Sequence, residues 1–183
     1  MSKDKKSCRF QIGLIGDSVI QSKKQYDICM EIGEEIARNN QILICGGRGG
    51  VMEAASKGVF QEKGISIGIL PTDLTDSEIN PYLSVRIPTM LGWSRNAIIP
   101  LASDVLIVCG GAMGTLSEIS FTWLYNKPMI CIMGVGGWSQ EIGSNLNFYK
   151  AKTNSIIRIT NSGKEAVKLA LGILETELTF KKG

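Results

Sequence analysis

Asp104-Val105-Leu106-Ile107-Val108-Cys109-Gly110-Gly111-Ala112-Met113-Gly114-Thr115-Leu116-Ser117-Glu118 is the stretch whose reading decides the fold. The apolar run reads as a strand, the glycines turn the chain, and a helix follows from about Thr115 to Tyr125. The same alternation extends in both directions. Phe10–Gly16 reads as a strand, and residues 25–38 place Ile28, Ile32 and Ile36 on one helical stripe that ends at Asn39-Asn40. Ile42–Cys45 is a short strand, and a helix over about Gly50 to Lys63 carries Val51, Ala55 and Val59 on one face, with Gly64 as its stop. Ile65–Leu70, Leu83–Ile87, Met129–Met133 and Ile156–Ile159 read as further strands. Thr72–Pro81 and Gly134–Gly137 read as loops, and Met90–Ala102 as a helix whose last turn Pro100 disturbs. Ser162-Gly163-Lys164-Glu165 has the form of a capping box opening a final helix.

Strands this apolar need cover on both faces. The expectation is an α/β fold: one doubly wound, mostly parallel, Rossmann-like sheet with helices on both faces. It forms a single domain over residues 1–183, with 1–8 and 178–183 as flexible tails.

Composition excludes more than it suggests. Of the net charge of +3, Lys3, Asp4, Lys5 and Lys6 account for +2 and Lys181 with Lys182 for another +2, which leaves the body at −1. The basic excess sits in the tails and makes no case for a nucleic-acid face. No apolar run is long enough to span a bilayer and the start lacks a signal peptide, so the chain reads as a soluble cytoplasmic protein without membrane partners. The five cysteines, Cys8, Cys29, Cys45, Cys109 and Cys131, form no Cys-x-x-Cys pair, and those in strands read as buried reduced thiols. Histidine is absent, which removes Ser-His-Asp and Cys-His nucleophiles and histidine-ligated zinc. No metal site is read.

In doubly wound folds ligands bind outside the carboxyl ends of the strands. The loop Gly46-Gly47-Arg48-Gly49-Gly50-Val51-Met52-Glu53 puts four glycines between a strand and a helix N-terminus, where free N–H groups and the helix dipole favour an anion. A tight packing turn is the plainer reading of the same glycines. Gly110–Glu118 repeats the design and adds a hydroxyl at Thr115 and a carboxylate at Glu118. Thr115-Leu116-Ser117-Glu118 is also a capping box, in which Glu118 would only bond the Thr115 backbone. Arg48 and Arg95 are the arginines placed to neutralise a phosphate. The candidate ligand-binding residues are therefore Gly16 and Asp17 at the end of the first strand, Gly46, Gly47, Gly49, Gly50, Val51 and Met52 in the first glycine loop, and Gly110, Gly111, Gly114 and Thr115 in the second. G-x-x-x-x-G-K-[ST] does not occur, and Gly13–Ser18 lacks G-x-G-x-x-G, which weakens the P-loop and dinucleotide readings.

Gly46–Ala55, Arg95-Asn96 and Gly110–Glu118, in that order, resemble the LOG-like (SLOG) superfamily, most of all its branch of molybdenum-cofactor carriers. The resemblance implies a Rossmann-like fold and a homo-oligomer, a dimer or higher. It also implies one of two functions. Carrier-like members bind a phosphorylated ligand, here a nucleotide or molybdopterin-type molecule, with no cofactor required. LOG enzymes cut the N-glycosidic bond of AMP or cytokinin nucleotides, using a P-G-G-x-G-T-x-x-E motif and an Arg-Lys pair. By position Arg95 and Glu118 would be the catalytic residues, with Gly111, Gly114 and Thr115 in the phosphate loop. Gly110 stands for the motif's proline, Ala112 for its second glycine, and Asn96 for the lysine. Those departures favour binding without turnover. Pyridoxal-phosphate decarboxylation has no signature of its own here.

Overall fold

The computed structural model describes residues 9–72 and 78–180, with backbone alone for 177–180. The expected tails at 1–8 and 181–183, Cys8, and residues 73–77 of the expected loop lie outside the described residues. Seven strands, β1 (Gln11–Gly16), β2 (Ile42–Cys45), β3 (Ile65–Leu70), β4 (Val85–Pro88), β5 (Val105–Cys109), β6 (Met129–Ile132) and β7 (Ile157–Thr160), form one parallel sheet in the order β4-β3-β2-β1-β5-β6-β7. Helices α1 (Lys23–Arg38), α2 (Val51–Gln61) and α7 (Gly163–Phe180) cover one face. Helices α3 (Ile98–Ala102), α4 (Met113–Leu124), α5 (Gly137–Ser144) and α6 (Leu146–Lys150) lie on the other. This is the doubly wound α/β architecture expected from the sequence.

Alternation within each strand divides the core. Ile12, Leu14, Leu43, Val105 and Ile107 pack under α1, α2 and α7. Ile15, Ile44, Leu106 and Val108 face Ile99, Ile119 and Ile142 of α3, α4 and α5. Every side chain of β5 is buried, as a central strand with two covered faces requires. The connections reverse between β1 and β5. The chain leaving β1 enters α1 on one face, and the chain leaving β5 enters α4 on the other, so the two loops part above the paired Gly16 and Cys109.

Several boundaries differ from the sequence reading. Met90–Ala102 is not one helix: a 3-10 helix spans Gly92–Ala97, entered through left-handed Met90 (φ 59°) and Gly92 (φ 55°), and α3 starts afresh at Ile98. Pro100 thus falls in the first turn of α3, where a missing N–H costs little. β4 begins two residues later than expected and is an exposed edge strand. α4 begins at Met113, not Thr115. Gly134–Gly137 does turn the chain, but α5 and α6 follow it at once. α7 runs to Phe180 and so takes in residues 178–180. The Ser162 box is half formed: its Oγ accepts from Glu165 N at 3.3 Å.

α1 and α2 approach unusually closely, through a pair of glycines. A methyl group on Gly33 would collide with the Ala55 carbonyl oxygen, and one on Gly58 with that of Met30. In an open helix Gly→Ala is stabilising by about 1 kcal/mol. Here the sign reverses: Gly33→Ala lowers the unfolding free energy by about 1–3 kcal/mol, as overpacking does. Urea denaturation of both proteins measures it.

Candidate functional site

The reversal between β1 and β5 opens a cleft of about 400 Å³. The β1–α1 loop supplies Gly16, Asp17, Ser18, Val19 and Gln21, the 3-10 helix supplies Trp93, Arg95 and Asn96, and α4 with its approach supplies Ala112, Gly114, Thr115 and Glu118. Arg48 reaches it from the β2–α2 connection and Met52 from the first turn of α2. A larger groove of about 870 Å³ runs along α1 and α7, but it opens beside Asn39 and Ile156, at the amino ends of the strands. That is the wrong end for a ligand in this architecture.

Glu118 and Arg95 form the floor. Both are more than nine-tenths buried, and Arg95 Nη1 stands 3.6 Å from Glu118 Oε1. The pair is incomplete, because Arg95 Nε is buried with no hydrogen-bond partner. Burial raises the Glu118 carboxyl to about 8, against the opposing pull of Arg95. Burial also lowers the Arg95 guanidinium from its ordinary value, with Glu118 countering. Burial thus works against the charge on both members of the pair, which their mutual attraction only partly offsets.

Glu118 does not cap α4. The N-cap is Ala112, which puts Thr115 inside the first turn and turns Glu118 toward Arg95. Thr115 Oγ1 donates to Gly16 O at 3.2 Å and ties α4 to the end of β1 across the reversal. Asn96 donates to Ser117 Oγ at 2.8 Å, so the amide at the lysine position is committed to holding the 3-10 helix on α4. Asp17 accepts from Gln25 Nε2 at 2.7 Å, and its carbonyl accepts from Val51 N at 3.0 Å.

The two glycine loops are not equivalent. Of the residues singled out from the sequence, Gly16, Asp17, Met52, Gly114, Thr115, Arg95 and Glu118 come together in the cleft, with Arg48. Gly46, Gly47, Gly49, Gly50, Val51, Gly110 and Gly111 do not line it. The first loop sits one strand away from the reversal, and its glycines are packed. A side chain on Gly50 (φ 67°) would strike the Asp17–Val19 backbone, and one on Gly46 would lie 2.6 Å from Arg95 Nη1. The one N–H that α2 would offer first, Val51 N, is spent on Asp17.

The second loop is shaped from outside. Ser139 Oγ accepts from Gly110 N at 2.9 Å, while Trp138 N and Ser139 N donate to the carbonyls of Gly111 and Gly110. Gly137 fits only because it lacks a side chain, since a Cβ there would stand 2.6 Å from Gly110 and Gly111 backbone atoms. Gly110 has φ 73°, which no proline can adopt, so the loop enters by a path closed to the proline of the hydrolase motif. Ser18, Val19 and Gln21 were not singled out from the sequence, although they follow directly on the first strand's carboxyl end.

The family model described as "LDcluster4: SLOG cluster4 family" matches residues 9–167. The chain belongs to this family. A molybdenum cofactor binding protein from Rippkaea orientalis is 33% identical, with a TM-score of 0.79 over 92% of this chain and 99% of that one. The molybdenum cofactor carrier protein of Chlamydomonas reinhardtii is 27% identical, with a TM-score of 0.76 over 91% and 99%. The cytokinin riboside 5′-monophosphate phosphoribohydrolase LOG1 of Arabidopsis thaliana is 28% identical over 181 residues, 91% of this chain and 83% of that protein. No helix among the described residues is long and apolar enough to cross a membrane.

The raised Glu118 carboxyl has a signed consequence for stability. Between its unfolded value of about 4.5 and about 8, the folded protein holds a proton that the unfolded chain has lost. Stability therefore falls as pH rises through that window, by on the order of a few kcal/mol. Urea melts at pH 5 and pH 8.5 show the decline in the wild type and its loss in Glu118→Gln.

Proposed function

We propose that this member of the SLOG cluster4 family binds the phosphate of a nucleotide or pterin-type ligand in the β1/β5 cleft and holds it uncleaved, as a carrier or sensor in the cytoplasm. The incomplete Arg95–Glu118 pair carries this reading. An unpaired donor on a buried guanidinium costs about 1–3 kcal/mol, and a phosphate oxygen is the acceptor that would recover it. The first turn of α4 adds backbone N–H groups free of intrahelical partners. Nucleotides and pterin phosphates share the group such a floor recognises, a phosphate monoester carried on an arm from a nitrogen heterocycle.

Phosphoribohydrolase activity is the second reading, and one observation favours it: Arg95, Gly114, Thr115 and Glu118, which match the hydrolase motif by position, meet in one cleft. Two observations weigh against it. Burial shifts the Glu118 carboxyl toward its neutral form, which is poorly prepared to activate water or stabilise an oxocarbenium centre. Asn96 supplies no charge and is already hydrogen-bonded.

Incubation with AMP and assay of free adenine at pH 7 and pH 9 separates the two. The expected result is retention of AMP without adenine release; release that is lost in Glu118→Gln overturns the carrier reading. Arg95→Ala weakens AMP binding by about tenfold or more, the worth of a charged hydrogen bond, measured by calorimetry. Pterin fluorescence after oxidation of protein purified from a cofactor-competent host tests the molybdenum-cofactor ligand.

The homo-oligomer belongs to the same proposal. Met113, Leu124 and Tyr125 leave apolar surface exposed along α4 and its end, the kind of surface a second copy covers. Light scattering at micromolar concentration is expected to give at least a dimer mass, and Leu124→Glu to lower it.

A further inference from the structure

The floor of the cleft is polar, but its rim is not. Trp93 is 78% exposed and Val19 is 67% exposed, and both line the cleft. They come from different elements, Trp93 from the 3-10 helix and Val19 from the β1–α1 loop. Trp123 and Trp138, by contrast, pack partly buried against the core under α3, α4 and α5. A large aromatic surface left in water is costly unless something covers it.

Trp93 is also well placed by its neighbours. Arg95 and Asn96, in the same six-residue turn, are buried and anchored on Glu118 and Ser117. The left-handed residues Met90 and Gly92 fix how the chain enters that turn. The indole lies over the start of α4, where a Cβ on Gly114 would be 3.7 Å from Trp93 Cζ3. The ring therefore stands exposed at the cleft, beside the N-terminus of α4.

We propose that Trp93, with Val19, is a stacking platform for the planar heteroaromatic ring of the ligand, and that it sets the preference for ring-bearing phosphates over simple sugar phosphates. This rests on the phosphate reading of the floor. The ligand it describes is a flat nitrogen heterocycle on an arm that reaches Arg95. A nucleobase and a pterin share that chemistry.

The test compares affinities for AMP, neopterin monophosphate and ribose 5-phosphate, measured by calorimetry on the wild type, Trp93→Ala and Trp93→Phe. In Trp93→Ala the ratio of ring-bearing to ringless affinity falls about tenfold, within the range that base–aromatic stacking gives. Trp93→Phe restores most of it, and the ligand-induced change in tryptophan fluorescence disappears in both variants. Whichever ring probe shows the larger fall identifies the ring. An unchanged ratio, with ribose 5-phosphate still bound, overturns the platform and leaves the phosphate floor standing. A wild type that binds none of the phosphates and shows no quenching by adenosine overturns both. A change of oligomeric mass in Trp93→Ala without a change of ratio makes Trp93 an interface residue and also overturns the platform.

Discussion

The reversal of chain direction between β1 and β5 is the constraint on which the rest depends. Parallel pairing from Ile12 with Val105 to Gly16 with Cys109 holds the two strands in register. Their helices leave toward opposite faces, because both faces of the apolar central strands need cover. The gap this leaves cannot be filled by either connecting loop. Thr115 Oγ1 on Gly16 O closes its base, and everything with chemical capacity stands around the opening.

Within that opening the Arg95–Glu118 pair acts as an unfinished structure. A buried ion pair repays its desolvation only when its geometry is good and its remaining donors are met. At 3.6 Å and with Nε unmet, this one falls short on both counts. Burial opposes the charge on Glu118, which weakens its compensation of the guanidinium toward the cleft. Arg95 and Arg48 supply the cationic groups of the cleft, and burial limits how far Glu118 offsets them.

The sheet was legible because its strands are short apolar runs between glycines and periodic helices, and β2, β3 and β5 sit where those runs place them to within a residue. The cleft was legible in part. Arg95, Thr115 and Glu118 were found from their residue types and loop position, but the two glycine loops looked alike. Only the strand order separates them, and no local pattern records that order. The α5–α6 region was missed although Trp138, Ile142, Leu146 and Tyr149 repeat at helical spacing; the glycines before them read as a loop and masked the stripe. The mixed role of Thr115 and Glu118 was undecidable by spacing, since a capping box and a site residue use the same letters. Where α4 begins, at Met113, decides it.

The bracing of Gly110 and Gly111 by α5 bears on how freely this loop can change over time. Its carbonyls are bound by Trp138 N and Ser139 N, and Gly137 leaves the room that this embrace needs. A loop that must hold its own shape is limited to a few residues at each turn. One moulded by a neighbouring helix passes part of that burden to the neighbour. Ala112, with its extended backbone (φ −114°), sits in such a loop without needing glycine's conformational freedom. The peptide path of this loop thus depends on Gly137 and Ser139, which lie well outside it in sequence, so a change at either is felt at the cleft.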